Sequence, residues 1–182
     1  MSGDVAETLP DIIADGLSVL FCGINPALSA AVSGHHFSNR SNRFWQVLHL
    51  AGFTPMEIPP EKDRTILDHH CGLTAVVGRP TASADELSAA DFAAVATSFE
   101  EKVRRYGPHL VAFLGKPAYA ALSGKRELNW GAQAVTFGGA TVWVLPNPSG
   151  RNRAFSLDQL VIAYRELYQA VNPPAQIRVD KR

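Results

Sequence analysis

Apolar residues in this chain fall into two kinds of run. Short unbroken blocks at residues 17–22 (LSVLFC), 110–114 and 142–145 have strand length and predict strands buried on both faces. Residues 72–77 read as a further extended segment, ended by Gly78-Arg79-Pro80. Residues 134–137 and 141–145 flank Gly138-Gly139-Ala140, which predicts a hairpin. Other stretches repeat with helical period. Asn42 can cap a helix in which Phe44, Val47 and Leu48 share a face and which Gly52 ends. Residues 61–70 and 117–122 suggest short helices, and Ser83 with Glu86 has capping-box spacing. Apolar positions 92, 95, 99, 103 and 106 trace a stripe closed by Gly107-Pro108. A last helix follows the Ser156–Gln159 capping box, carries apolar positions 157, 160, 161, 164, 167, 168 and 171, and stops at Asn172-Pro173-Pro174. Residues 27–41 are polar and aperiodic, and read as a long surface loop. The sum is an α/β chain: a single three-layer α-β-α domain with a mostly parallel central sheet, spanning residues 16–172. Residues 1–15 read as a flexible lead-in and 173–182 as a frayed basic tail.

Composition narrows the functional classes. With 182 residues and 46% hydrophobic positions, one domain with a substantial core is expected. No apolar run approaches the ~18 residues that a membrane helix needs. The acidic start, Met1 to Glu7, does not resemble a secretory signal. Two cysteines, Cys22 and Cys71, are too few for a disulfide framework, and a cytoplasmic setting follows as the expectation. Lys plus Arg and Asp plus Glu both number 17, so the formal net charge is zero. That balance argues against a protein that coats nucleic acid but leaves room for a local basic site. Arg40, Arg43, Arg151 and Arg153 supply one, while much of the acid lies between residues 85 and 101.

Candidate chemistry concentrates in two strand-end stretches, Cys22-Gly23-Ile24-Asn25-Pro26 and Asn147-Pro148-Ser149-Gly150-Arg151-Asn152-Arg153. In open α/β sheets, ligands collect at the carboxyl ends of strands. Asn25 either holds its turn by an Asx-type bond or orients a water or a substrate carbonyl; it cannot serve as a strong base. Phe37 either anchors its polar loop or offers a stacking platform to a flat heterocycle. The second stretch is either a solvated turn or a loop whose arginines reach phosphates and guanine. His35-His36 and His69-His70-Cys71 lack metal-ligand spacing, so no metal is expected. Dinucleotide and P-loop glycine signatures are absent from the sequence.

Taken together, Phe21-Cys22-Gly23-Ile24-Asn25-Pro26, Asn42-Arg43-Phe44-Trp45, Arg79-Pro80-Thr81, Leu114-Gly115-Lys116, the run from Trp143 to Gly150 and Ala163-Tyr164-Arg165-Glu166-Leu167 occur in register over residues 15–170. This pattern resembles the mismatch-specific uracil-DNA glycosylases and the related thymine-DNA glycosylases of the uracil-DNA glycosylase superfamily. The resemblance implies a cofactor-free, monomeric DNA repair enzyme, nucleoid-associated when acting. It would cleave the N-glycosidic bond of uracil, and of lesions such as ethenocytosine, opposite guanine in double-stranded DNA. Asn25 matches the water-positioning residue. Gly23, Ile24, Phe37 and Asn147 match the base pocket, and Ser149, Gly150, Arg151, Asn152 and Arg153 match the wedge and phosphate-contacting loop. Three positions depart from the pattern. Ala27 stands where the family has glycine, Ala75 where relatives carry a polar side chain, and Arg151 where the bacterial pattern has leucine. Two alternatives remain: a weakly catalytic module that binds mismatched or abasic DNA through the same pocket, and a hydrolase of free nucleosides.

Overall fold

A computed structural model describes residues 8–175; the expectations for residues 1–7 and 176–182 lie outside the described residues. Five strands form one sheet: β1 (Val19–Gly23), β2 (Cys71–Ala75), β3 (Leu110–Leu114), β4 (Gly131–Phe137) and β5 (Ala140–Leu145). Their order across the sheet is β2-β1-β3-β5-β4. The first four in that order run parallel, and β4 closes one edge antiparallel to β5. The chain leaves β1 first for one neighbour and later for the other. The sheet therefore has a switch point at the carboxyl end of β1, where a crevice opens.

Helices cover both faces, giving the expected three layers. Helix α2 (Phe44–Ala51) and helix α5 (Leu157–Val171) pack together on one side, α3 (Ala89–Tyr106) and α4 (Lys116–Ser123) on the other. On the α2/α5 side Phe21 meets Phe44 and Phe53 edge-on, each at 5.5 Å between ring centroids. Fully burying each such ring contributes about 1.5–3 kcal/mol, so this cluster fixes where α2 begins. The hairpin turns at Gly138 and Gly139 with φ of 55° and 86°. Two successive positive φ values are what a tight primed turn requires.

Local structure departs from the sequence reading in several places. Inside the expected loop, residues Leu28–Ser33 form a one-and-a-half-turn helix, α1, ended by Gly34 in the left-handed region. The helix expected over 61–70 is a 3-10 segment, Pro60–His69, with a kink at Lys62. The extended segment expected at 72–77 is in register as β2, ending at Ala75. The Ser83–Glu86 box opens only a three-residue turn, and a second box, Ser88–Asp91, starts α3. Asn42 caps one position early: its Oδ1 accepts the Phe44 N–H at 2.9 Å, with Arg43 between. Residues 8–15 pack against the body rather than trailing from it. Ile12 is buried and bridges Leu73, and Asp11 accepts from Thr74 Oγ1 and Lys102 Nζ, both at 2.7 Å.

Candidate active site

The crevice beyond β1 is a cavity of about 190 Å³. Its walls come from the carboxyl ends of all four parallel strands: Gly23 to Ala27 after β1, Thr74 and Ala75 of β2, Leu114 of β3, and Asn147, Ser149 and Arg151 after β5. Phe37 and His36 close it from the loop that follows α1. Of the residues expected at the site, Gly23, Ile24, Asn25, Phe37, Asn147, Ser149 and Arg151 thus meet around one space. Gly150, Asn152 and Arg153 do not line it.

The orientation of Asn25 follows from its partners. Its Nδ2 donates to the Arg79 carbonyl at 2.9 Å and to Thr81 Oγ1 at 2.7 Å. The Thr81 hydroxyl spends its own proton on the Ser83 carbonyl at 2.8 Å, so it can only accept from Asn25. Both neighbours being acceptors, the amide nitrogen must face them and Oδ1 is left over. The segment carrying Thr81 is tied in turn to the first motif: Thr81 N–H donates to Pro26 O and Leu28 N–H to Thr81 O, both at 3.2 Å. Thr81 itself is buried. Residue by residue it gives little away in sequence. Its one signal there is the run Arg79-Pro80-Thr81, in the loop that follows β2.

The second motif is a turn locked from inside and outside. Asn147 Oδ1 accepts the Ser149 N–H, and Asn152 Nδ2 donates to Asn147 O, both at 2.9 Å. Tyr164 of α5, wholly buried, donates its hydroxyl to Pro146 O at 3.0 Å, and burial pushes that phenol well above its ordinary pKa. Arg43 does most of the rest. Its guanidinium donates to Phe155 O at 2.8 Å, to Ser149 O and Asn152 O at 2.9 Å, and to Pro148 O at 3.4 Å. This arginine, grouped in the sequence with Arg40, Arg151 and Arg153 as a local basic site, is a staple for the loop. Asn152 is likewise turned inward. Gly150 packs on Ser41 so closely that a Cβ there would sit 2.6 Å from both the Ser41 Cβ and its carbonyl oxygen. Arg151 and Arg153 are exposed, and Arg151 stands at the cavity mouth.

Phe37 anchors its loop and also lines the cavity. One face of its ring stacks on Phe44 at 4.1 Å between centroids and 26° between planes, while the residue also lines the cavity. Its φ is 53°, a left-handed conformation that costs a non-glycine residue about 1–2 kcal/mol. Neighbouring contacts must hold it there. His36 is buried, and that burial lowers its pKa, leaving a neutral ring at pH 7. Its Nε2 faces Pro10 O at 2.8 Å, which assigns the proton to Nε2. Among the described residues, no Asp or Glu lines the cavity, and no group of three or more His, Cys, Asp or Glu side chains is placed to hold a metal ion.

The crevice thus sits at the switch point of a parallel sheet, between two asparagine turns. The chain belongs to the uracil DNA glycosylase superfamily, whose family model matches residues 10–169. The fold is also that of a protein from Methanosarcina acetivorans, described as a candidate uracil DNA glycosylase and solved by solution NMR. That protein is 21% identical, with a TM-score of 0.59, and the match covers 90% of this chain and 98% of the other.

Proposed function

We propose that this protein is a monofunctional DNA glycosylase that removes uracil, and related lesions such as ethenocytosine, from mispairs with guanine. The observation that carries the reading is the Asn25 carboxamide in the cavity wall, whose NH₂ is fixed by Arg79 O and Thr81 Oγ1 so that Oδ1 is the group left over to accept from water. In the reaction the C1′–N1 bond breaks and the base leaves with the bonding electrons. Water adds its oxygen to C1′ and gives up a proton to solvent or to the departing base. The backbone N–H groups of Ile24 and Phe37, two residues that line the cavity, are the donors we assign to the developing negative charge, and preorganised donors of this kind lower such barriers most. Asn25 adds orientation rather than basicity, since an amide does not titrate. With no carboxylate to take the water's proton, turnover is slow.

Entry of the base requires flipping, which costs a few kcal/mol and least at a mispair. Stacking on the free face of Phe37, worth ~1–3 kcal/mol, offsets much of that cost. Arg151, at the mouth, fills the vacated position and offers donors to the widowed guanine or to phosphate. The protein is incubated with uracil–guanine, uracil–adenine and single-stranded substrates, and abasic sites are cleaved with alkali. Strand scission is expected from the uracil–guanine duplex, and Asn25→Ala abolishes it while leaving binding to that duplex intact. Full turnover by Asn25→Ala would remove the water-positioning role. Binding without scission by the unaltered protein would make this a mismatch-binding module instead.

A further inference from the structure

Asp63 takes no part in the chemistry above, yet it is buried, at 3% exposure. A buried carboxylate is costly unless it is hydrogen-bonded, and the bond it makes leads to the base pocket. From the 3-10 segment Pro60–His69 it reaches the loop that carries Phe37. Its Oδ2 accepts the His36 N–H at 2.9 Å, and its Oδ1 lies 3.5 Å from His35 Nδ1, a buried ring nitrogen with no hydrogen-bond partner among the described residues. Trp45 Nε1 holds the His36 carbonyl from the other side at 3.0 Å. The two peptide units preceding Phe37 are therefore pinned one after the other, directly ahead of the residue whose φ is left-handed. Without the first pin, only the Trp45 bond and the stack on Phe44 oppose relaxation of residue 37 towards ordinary backbone, which would carry its ring out of the cavity wall.

We propose that Asp63 is a positioning residue for base recognition, acting through the His36 N–H to hold Phe37 against the flipped base. The proposal rests on the glycosylase reading, and the experiment separates the two. Asp63→Ala, Asp63→Ser and Asp63→Asn are compared with the unaltered protein in two measurements. One is the single-turnover rate of uracil release from a uracil–guanine duplex. The other is affinity for a duplex bearing a tetrahydrofuran abasic analogue opposite guanine, which leaves no base for Phe37 to touch. Losing one hydrogen bond to a charged group corresponds to about a tenfold slower release in the Ala and Ser variants. Affinity for the abasic duplex stays within about twofold, because wedge and phosphate contacts set it. Asn retains an acceptor for the His36 N–H and restores release to within about threefold of the unaltered rate. An unchanged rate in Ala and Ser overturns the proposal. So does a parallel loss of rate and abasic binding, or failure of both variants to fold while Asn folds, since each makes Asp63 a scaffold residue only. An unaltered protein that releases no uracil from any duplex overturns the glycosylase reading instead.

Discussion

Replacing Arg43 with Met tests how far the second motif depends on a side chain from another part of the chain. The stem is kept and the guanidinium removed, so four donor contacts to carbonyls of residues 148–155 disappear at once. Three of them are short, at 2.8–2.9 Å, and the fourth, at 3.4 Å, counts for little. Bonds from a charged donor contribute up to 1.5–3 kcal/mol each, but this site is only half-buried and water re-solvates the freed carbonyls, so about 1 kcal/mol apiece is the fair figure. The total, about 3 kcal/mol, lowers the midpoint of thermal unfolding by roughly 6–12 °C in a domain of this size. It also loosens the segment that presents Arg151, weakening affinity for abasic product by about tenfold if half of that energy serves the bound loop conformation. Lysine, a compact ammonium that cannot fork across separated carbonyls, recovers about a third of the loss. Differential scanning fluorimetry and fluorescence anisotropy on an abasic duplex supply the two readings. A Met variant with unaltered melting and unaltered affinity would refute the staple and the argument built on its distances.

Other predictions follow from single contacts. Thr81→Val removes one of the two acceptors that orient Asn25, and uracil release slows by about tenfold, with Thr81→Ser restoring it; equal rates for Val and Thr would show that Arg79 O suffices. Arg151→Ala raises the dissociation rate from abasic duplex, read by competition stopped-flow, and an unchanged off-rate excludes the wedge. Burial pushes the Cys71 thiol up to about 12 and Cys22 well above its ordinary value of 9.0. Well below pH 9 neither the folded nor the unfolded chain ionises these thiols, so they leave stability flat; as pH rises through 9 towards 12 only the unfolded chain loses the protons, and stability falls. Urea midpoints that do not decline between pH 8.5 and 10.5 would contradict that assignment.

The layered α/β fold was legible because β1, β3 and β5 fall in dense apolar runs and the longer helices carry clear stripes and boxes. Asn25 and Asn147 were legible for a related reason: polar turn residues directly after buried strands can only sit at the sheet's carboxyl edge. What escaped is set by contacts across long sequence separations. Arg43 reads as a surface cation until the carbonyls 105 to 112 residues away are seen around it. Asp63 lies in a polar segment with no periodicity to mark it as buried. Thr81 stood in the sequence only as part of the Arg79-Pro80-Thr81 run; its hold on Asn25 shows once the Ser83 carbonyl is seen to take its proton. The 3-10 form of residues 60–69 was equally hidden, since three- and four-residue repeats are hard to separate over so short a span.

Gly72 sits mid-strand in β2, where a branched side chain would ordinarily be favoured, yet a Cβ there would come within 2.5 Å of Leu17 Cδ1 and 2.7 Å of the Ile12 carbonyl. That missing methyl lets the incoming chain lie flush along the sheet's outermost strand and occupy part of its hydrogen-bonding rim. The rim is the surface through which sheets of separate molecules can zip together. This domain thus carries its own stopper against self-templating, threaded from its first described residues and seated by the smallest residue available.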